Sequence, residues 1–118
     1  MPLPTPLLLA YRRATLAPVP GAGESWAIAA VEPPGAPPLA KSGPSSQDEL
    51  EDRVGQTGLA WTRITLSSGA WSSPGVLLPG LTRARAVRLA QKLRRWAVLR
   101  VIPDRIEVLY TGINDRAL

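Results

Sequence analysis

The stretch RARAVRLAQKLRRWAVLR, residues 83–100, joins two different hydrophobic patterns. At about 100° per residue, most apolar side chains of its first part fall in one arc that excludes Val87: Ala86, Leu89, Ala90, Leu93 and Ala97. The basic side chains fall in the opposite half: Arg85, Arg88, Lys92 and Arg95. The closing segment WAVLR is typical of a strand. We therefore expect a helix that ends near Arg94, a strand that begins at Trp96, and a junction at Arg94 and Arg95.

The flanking sequence predicts several short strands and one more helix. Strands are expected at five further places, the last one after a turn at Pro103–Asp104: 7–16, 26–31, 59–71, 75–80 and 106–111. A helix is expected over 46–57, because Ser46 and Glu49 have the spacing of a capping box. Consecutive strands interrupted by two helices predict an α+β fold. We expect a single small domain over 1–118, with a mixed or mainly antiparallel sheet and two helices packed on it.

Three segments carry information about position in this fold. The run WAIAAV, residues 26–31, is continuously apolar between turn signals, which is typical of a central strand covered on both faces. Residues 32–45 are rich in proline, which favours extended backbone. Loops of this length are usually functional or disordered, so a mobile loop and a recognition site both stay open. Residues 112–118 are expected to form a frayed tail.

The composition excludes several kinds of chemistry. The 118 residues contain no cysteine and no histidine. Disulfides, thiolate nucleophiles and sulfur-ligated metals are therefore excluded, and the usual general base near neutral pH is missing. Zinc hydrolases of the usual type, Ser-His-Asp hydrolases and Cys-His proteases cannot be built from this chain alone. We expect no enzymatic activity and no cofactor.

The first residues do not follow the pattern of a secretory signal. Pro2, Pro4 and Pro6 would interrupt a helix, and the Arg12–Arg13 pair follows the apolar residues instead of preceding them. No segment approaches the roughly 20 apolar residues that a membrane span needs. A cytoplasmic protein with no membrane partner is therefore predicted.

The positive charge is concentrated in the last third of the chain. Fourteen basic and nine acidic residues give a formal net charge of +5, and nine of the basic residues follow Leu81. A one-sided basic stripe is the electrostatic footprint of a phosphate-backbone binder. The candidate contacts to nucleic acid or another polyanion are Arg85, Arg88, Lys92, Arg94 and Arg95. The alternative is a solvated helix face in a sequence that uses arginine in place of lysine, and no named nucleic-acid motif separates the two.

Two other groups of residues admit a functional and a structural interpretation. Asp48, Glu51 and Asp52 share one side of the predicted helix 46–57. They could hold a metal ion, but acids near a helix N-terminus also complement its dipole. The four tryptophans are the large core fillers of a chain without phenylalanine, although exposed ones could stack on bases. Trp26 and Trp96 are expected in the core, and Trp61 and Trp71 could be partly exposed.

The order of features resembles a known family. The features are Tyr11–Arg12, AAVEP at 29–33, the predicted helix 46–57, Trp71, GVLLPG at 75–80 and RRWAV at 94–98. In this order they are similar to a family of small bacterial domains of unknown function, number three-two-nine-three. Ala29 stands where that family has Thr, Glu32 where it has Asn, and Arg94–Arg95 replaces its Gly-Gln. The resemblance spans nearly the whole chain and implies a fold, with no known reaction.

The sequence supports two functional hypotheses. The first is a non-enzymatic binding module whose basic C-terminal third contacts nucleic acid or another polyanion. The alternative is a protein-interaction or structural subunit that acts through a sheet edge or through the Pro-rich residues 32–45. The oligomeric state cannot be predicted from these patterns.

Overall fold

The computed structural model describes residues 5–18, 23–33, 43–69, 71–103 and 105–111. Its helices are α1 (Thr5–Arg12), α2 (Gln47–Gly55) and α3 (Arg83–Lys92). Its strands are β1 (Thr15–Ala17), β2 (Ser25–Ala29), β3 (Thr62–Ser68), β4 (Trp71–Pro79), β5 (Ala97–Ile102) and β6 (Arg105–Tyr110). The strands form one sheet in the order β1-β3-β4-β2-β5-β6, and every pairing is antiparallel. The α+β prediction is confirmed for these residues. The predicted tail 112–118 and most of the predicted loop 32–45 lie outside them.

The first element differs from the sequence prediction. Residues 7–16 were expected to form a strand, but the chain forms α1 and only then the short strand β1. The described residues therefore contain three helices, and the prediction of two is wrong. Pro6 lies in the first turn of α1, where proline is tolerated because its missing N–H would have no partner. Tyr11 is buried and Leu9 is exposed, which places them on different faces although the strand prediction put them on one.

The apolar run at 26–31 behaves as predicted over most of its length. Residues 26–29 belong to β2, which lies between β4 and β5 inside the sheet, whereas Val31 follows the strand and is exposed. Trp26 and Ile28 pack into one hydrophobic cluster, and Ala27 and Ala29 pack into a second cluster on the other face. The strand alternates between two cores because successive side chains point to opposite faces. This explains why its sequence is continuously apolar and shows no alternation.

The helices are distributed over the two faces of the sheet. Leu50 and Val54 of α2 and Leu89 of α3 belong to the cluster that contains Trp26. Tyr11 of α1 belongs to the opposite cluster, with Trp71. The sheet therefore has two helices on one side and one on the other. The sequence prediction did not include the helix on the second side.

The middle of the sheet contains one continuous strand where the sequence predicted two. A hairpin with Gly69 at a positive φ of 58° joins β3 to β4, within the range 59–71 where a strand was predicted. However, β4 runs without a break from Trp71 to Pro79 and absorbs the separate strand that was predicted at 75–80. Pro74 is tolerated because it lies one position beyond the last registered pair of β2 with β4.

Candidate functional site

Helix α3 is fixed at both ends by local hydrogen bonds. At its N-terminus, Oγ1 of Thr82 accepts a hydrogen bond from the backbone N–H of Arg85 at 3.3 Å. At its C-terminus, Arg94 has a φ of 57°, its N–H donates to the carbonyl of Gln91, and the N–H of Arg95 donates to that of Ala90. This pair of bonds is a Schellman motif, which usually has glycine at the left-handed position. The helix thus ends at Lys92, two residues before the end predicted from the sequence.

The helix buries one face and exposes the other. Ala86 and Ala90 are fully buried and Leu89 nearly so, which matches the predicted apolar arc. Arg85, Arg88 and Lys92 are exposed. At a rise of 1.5 Å per residue, these three cations span about 10 Å along the helix axis. They are three of the five residues that the sequence singled out for polyanion contact.

These three cations line a groove of about 250 Å³ between α3 and the segment that follows α2. The opposite wall consists of Thr57 and Leu59, and Leu89 completes the lining. Oγ1 of Thr57 donates to the carbonyl of Val54 at 2.6 Å and accepts from the N–H of Leu59 at 3.2 Å. This hydroxyl therefore fixes the backbone between Val54 and Leu59, which forms this side of the groove. The groove has an apolar floor, a defined wall and a row of three positive charges.

The cations of the groove differ from Arg63 and Arg100 in their surroundings. Arg63 pairs with Glu51 through two hydrogen bonds at 2.6 and 2.9 Å, and Arg100 contacts Glu24 at 2.7 Å and Glu107 at 2.6 Å. No such ion pair involves the groove cations within the described part of the chain. Their charge is not neutralised by a carboxylate among those residues. An anion could therefore bind them without first displacing an internal partner.

The other two predicted contact residues lie elsewhere. Arg94 occupies the turn after α3 and is half-buried. Arg95 is only 5% exposed, so its predicted place in the surface stripe is wrong. The left-handed turn at Arg94 directs the chain inward, which takes Arg95 off the helix face that carries Arg88. The prediction that Arg94 and Arg95 form a junction between helix and strand is confirmed.

The buried guanidinium of Arg95 binds only backbone carbonyl groups among the described residues. Its donors reach the carbonyl oxygens of Ala29 at 2.8 Å, Ala30 at 2.7 Å, Pro44 at 2.6 Å and Leu93 at 3.2 Å. These four carbonyls come from the end of β2, the approach to α2 and the end of α3. Arg95 therefore joins three segments of the fold through hydrogen bonds, and these bonds indicate a structural role.

A cluster of one partly buried carboxylate, Glu32, and one buried phenol, Tyr11, lies beside this guanidinium. Oε1 of Glu32 accepts hydrogen bonds from the hydroxyl of Tyr11 at 2.7 Å and from the backbone N–H of Trp96 at 2.9 Å. Burial raises the pKa of Glu32, while the bonds from Tyr11 and Trp96 and the nearby charge of Arg95 act in the opposite direction. Burial also raises the pKa of Tyr11, and the neighbouring carboxylate adds to this effect.

A carboxyl with a raised pKa beside a phenol can act as an acid–base pair, and sequence reasoning missed it. The two residues are 21 positions apart, and no local pattern connects them. Glu32 does not line either of the two grooves that the described residues form beside α3 and along β6. Its bonds to α1 and to the residue before β5 fix the fold around the second core. We therefore assign this cluster to structure.

The remaining basic residues do not extend the groove. Arg100 is bound to two glutamates, Glu24 and Glu107. The pKa of Glu107 is lowered mainly by the hydrogen bond from Arg100, and the nearby charge of Arg83 adds to this effect. Arg12 and Arg105 line a different groove, along β6. The positive charge of the last third is thus divided among separate places, and three of the four cations on α3, Arg85, Arg88 and Lys92, share the groove.

The other functional interpretations find no support in the described ranges. Among those residues, no group of three or more acidic side chains is arranged to hold a metal ion. Trp26 and Trp96 are buried, as expected. Of the two tryptophans that could be partly exposed, Trp61 is half-buried against the core and Trp71 is buried. None of the described helices is long and apolar enough to span a membrane.

Comparisons with protein-family models, with curated proteins and with solved structures found no match for this chain. The resemblance to the domain family of unknown function therefore stays a prediction.

Proposed function

We propose that this protein is a non-enzymatic binding module that holds the phosphate backbone of nucleic acid in the groove on α3. The observation that carries the proposal is the row formed by Arg85, Arg88 and Lys92, which lines one groove and has no carboxylate partner among the described residues. An intracellular location belongs to the same proposal.

The spacing of the cations suits a polyanion better than a single small anion. Their span of about 10 Å along the axis corresponds to about three phosphates at 3.4 Å per nucleotide of one strand. Arginine can contact a phosphate through two parallel hydrogen bonds, and lysine adds a point charge. The groove presents no exposed aromatic or amide side chain among its lining residues, so base-edge readout is not expected. Binding should therefore be independent of base sequence.

The test is a salt titration with two labelled probes, a 20-nucleotide oligo-dT and a 20-base-pair duplex. Neutralising three phosphates gives a slope of log Kobs against log salt of about −2.1 for the single strand and about −2.7 for the duplex. Raising the salt from 50 to 200 mM should then weaken binding about 20-fold for the single strand and about 40-fold for the duplex. Affinity that does not change with salt would refute a phosphate interface.

A charge-matched pair of variants separates the groove from the general positive charge. The triple variant R85E/R88E/K92E should abolish binding, because it reverses every cation of the groove. The control R12E/R13E/R105E changes the net charge by the same amount at exposed positions outside this groove, and it should bind within a few-fold of the wild type. Equal losses in the two variants would mean that net charge, and not this groove, attracts the probes.

A further inference from the structure

The outer edge of β6 is open within the described residues. β6 is the last strand of the sheet and pairs only with β5. The N–H of Thr111 donates to the carbonyl of Trp96 at 3.1 Å, one position beyond the registered pairs. In an antiparallel ladder the residues that exchange such bonds alternate along the strand. The backbone groups of Ile106 and Val108 therefore point away from β5, toward the open side.

A second groove runs along this edge. It has a volume of about 420 Å³ and is lined by Arg12, Arg105, Ile106, Glu107 and Val108. Ile106 and Val108 pack against the core beneath α1, whereas Glu107 bonds to Arg100 on the opposite face. The groove is thus lined from both faces of β6, and it lies along the plane in which another strand would pair.

The charge of this groove is positive. Arg12 comes from the end of α1 and Arg105 from the start of β6, and neither forms an ion pair with a carboxylate in the described ranges. The lining carboxylate, Glu107, bonds at 2.6 Å to Arg100, which also contacts Glu24, and the nearby charge of Arg105 helps to lower the pKa of Glu107. The groove therefore offers two unpaired cations beside a row of unused backbone donors and acceptors. The opposite edge of the sheet is different, because β1 has only three residues.

We propose that the β6 edge binds an extended acidic segment of a partner protein as an additional strand of the sheet. The backbone groups of Ile106 and Val108 would pair with the segment, as in other complexes formed by strand addition. Acidic side chains of the segment would contact Arg12 and Arg105. An acidic partner fits better than a second copy of this chain, since each copy carries a net charge of +5 and two copies would repel each other. This inference is independent of the groove on α3.

The probe is the eight-residue peptide Glu-Glu-Val-Thr-Val-Thr-Glu-Glu, titrated into ¹⁵N-labelled protein. Saturable amide shifts centred on Ile106 and Val108, with a Kd below about 1 mM, are expected. A matched peptide with lysine in place of every glutamate should bind at least tenfold more weakly. No saturation by the acidic peptide at about 1 mM, or shifts centred on α3, would overturn the proposal.

Two pairs of variants test the backbone and charge contributions separately. V108P removes an outward N–H that the β5 ladder does not use and should lose peptide binding, whereas V108T keeps that N–H and should retain it. If V108P does not fold, R12E should weaken binding at least tenfold, whereas R13E, at an exposed position that does not line the groove, should not. Equal binding by both members of either pair contradicts the proposal. A mass in solution of two chains, lost in V108P, would assign the edge to a second copy and overturn the acidic partner.

Discussion

Replacing Arg95 by methionine tests whether this residue is structural or part of a binding surface. The guanidinium makes three hydrogen bonds of 2.6–2.8 Å and one of 3.2 Å to backbone carbonyls. Methionine can replace the aliphatic part of the side chain, but it has no guanidinium and leaves four carbonyl groups without this donor. Water cannot easily replace it, because the side chain is 5% exposed.

The expected loss follows from the cost of these unpaired groups. A hydrogen bond to a charged group contributes about 1.5–3 kcal/mol net, and such contributions within one network do not add. Removing the desolvated charge of the guanidinium offsets part of the loss. We therefore expect R95M to lower the free energy of unfolding by about 3–5 kcal/mol, which is less than the sum over four separate hydrogen bonds. This is a large fraction of the 5–15 kcal/mol that is typical of a domain.

The assay is urea denaturation followed by tryptophan fluorescence, because Trp96 is adjacent to the substituted residue. R95K keeps the charge but not the planar fork and should lose an intermediate amount. The control R88M removes an exposed arginine and should change stability by no more than about 0.5 kcal/mol. A loss below about 1 kcal/mol in R95M would refute the structural role. Folded R95M should also bind the oligo-dT probe within twofold of the wild type, whereas R88M should bind it more weakly.

Three further predictions concern stability. E32Q keeps an acceptor for Tyr11 but removes a carboxyl whose pKa is raised in the folded state. Because this carboxyl favours the folded state only while it is protonated, the wild type should lose stability relative to E32Q as the pH rises above 4.5. Urea denaturation of both proteins at pH 4 and pH 7 measures this difference. The reverse trend would contradict the assigned burial effect. G75A should cost at least about 2 kcal/mol, because a Cβ at this position would collide with the carbonyl of Ile28, and a thermal midpoint equal to that of the wild type would contradict this packing. T82A should cost about 1 kcal/mol through loss of the α3 cap, and the same cost in T82S would show that the hydroxyl is not the cause.

Elements with one clear pattern could be predicted from the sequence. α2 begins after Ser46, which caps it through the N–H of Glu49 at 3.2 Å, and Leu50 and Val54 are fully buried. The capping box differs in one detail, because the carboxylate of Glu49 bonds to Ser45 and not to Ser46. The local spacing of polar and apolar residues is enough to place such an element. The partner of a flexible carboxylate depends on geometry that spacing does not determine.

The first helix could not be predicted for a different reason. The segment LLLAYRRATL, residues 7–16, is compatible with a period of 2 and with a period of 3.6, and a short apolar run does not separate them. The outcome is decided by tertiary contacts, since Tyr11 forms a hydrogen bond with Glu32 and an edge-to-face contact with Trp71 at 5.7 Å between ring centres. These contacts become visible only when β2 and β4 are placed beneath the helix.

The candidate site shows the same limit within a single helix face. Arg88 and Arg95 are chemically identical and seven residues apart, so a continuous helix would place both on one face. The helix instead ends at Lys92, and Arg94 takes a left-handed conformation that usually requires glycine or asparagine. Because no glycine marks this end, the sequence contains no signal that separates an exposed arginine from a buried one. The charge count therefore overestimated the surface available to an anion, and the groove is defined by the three cations that precede the turn.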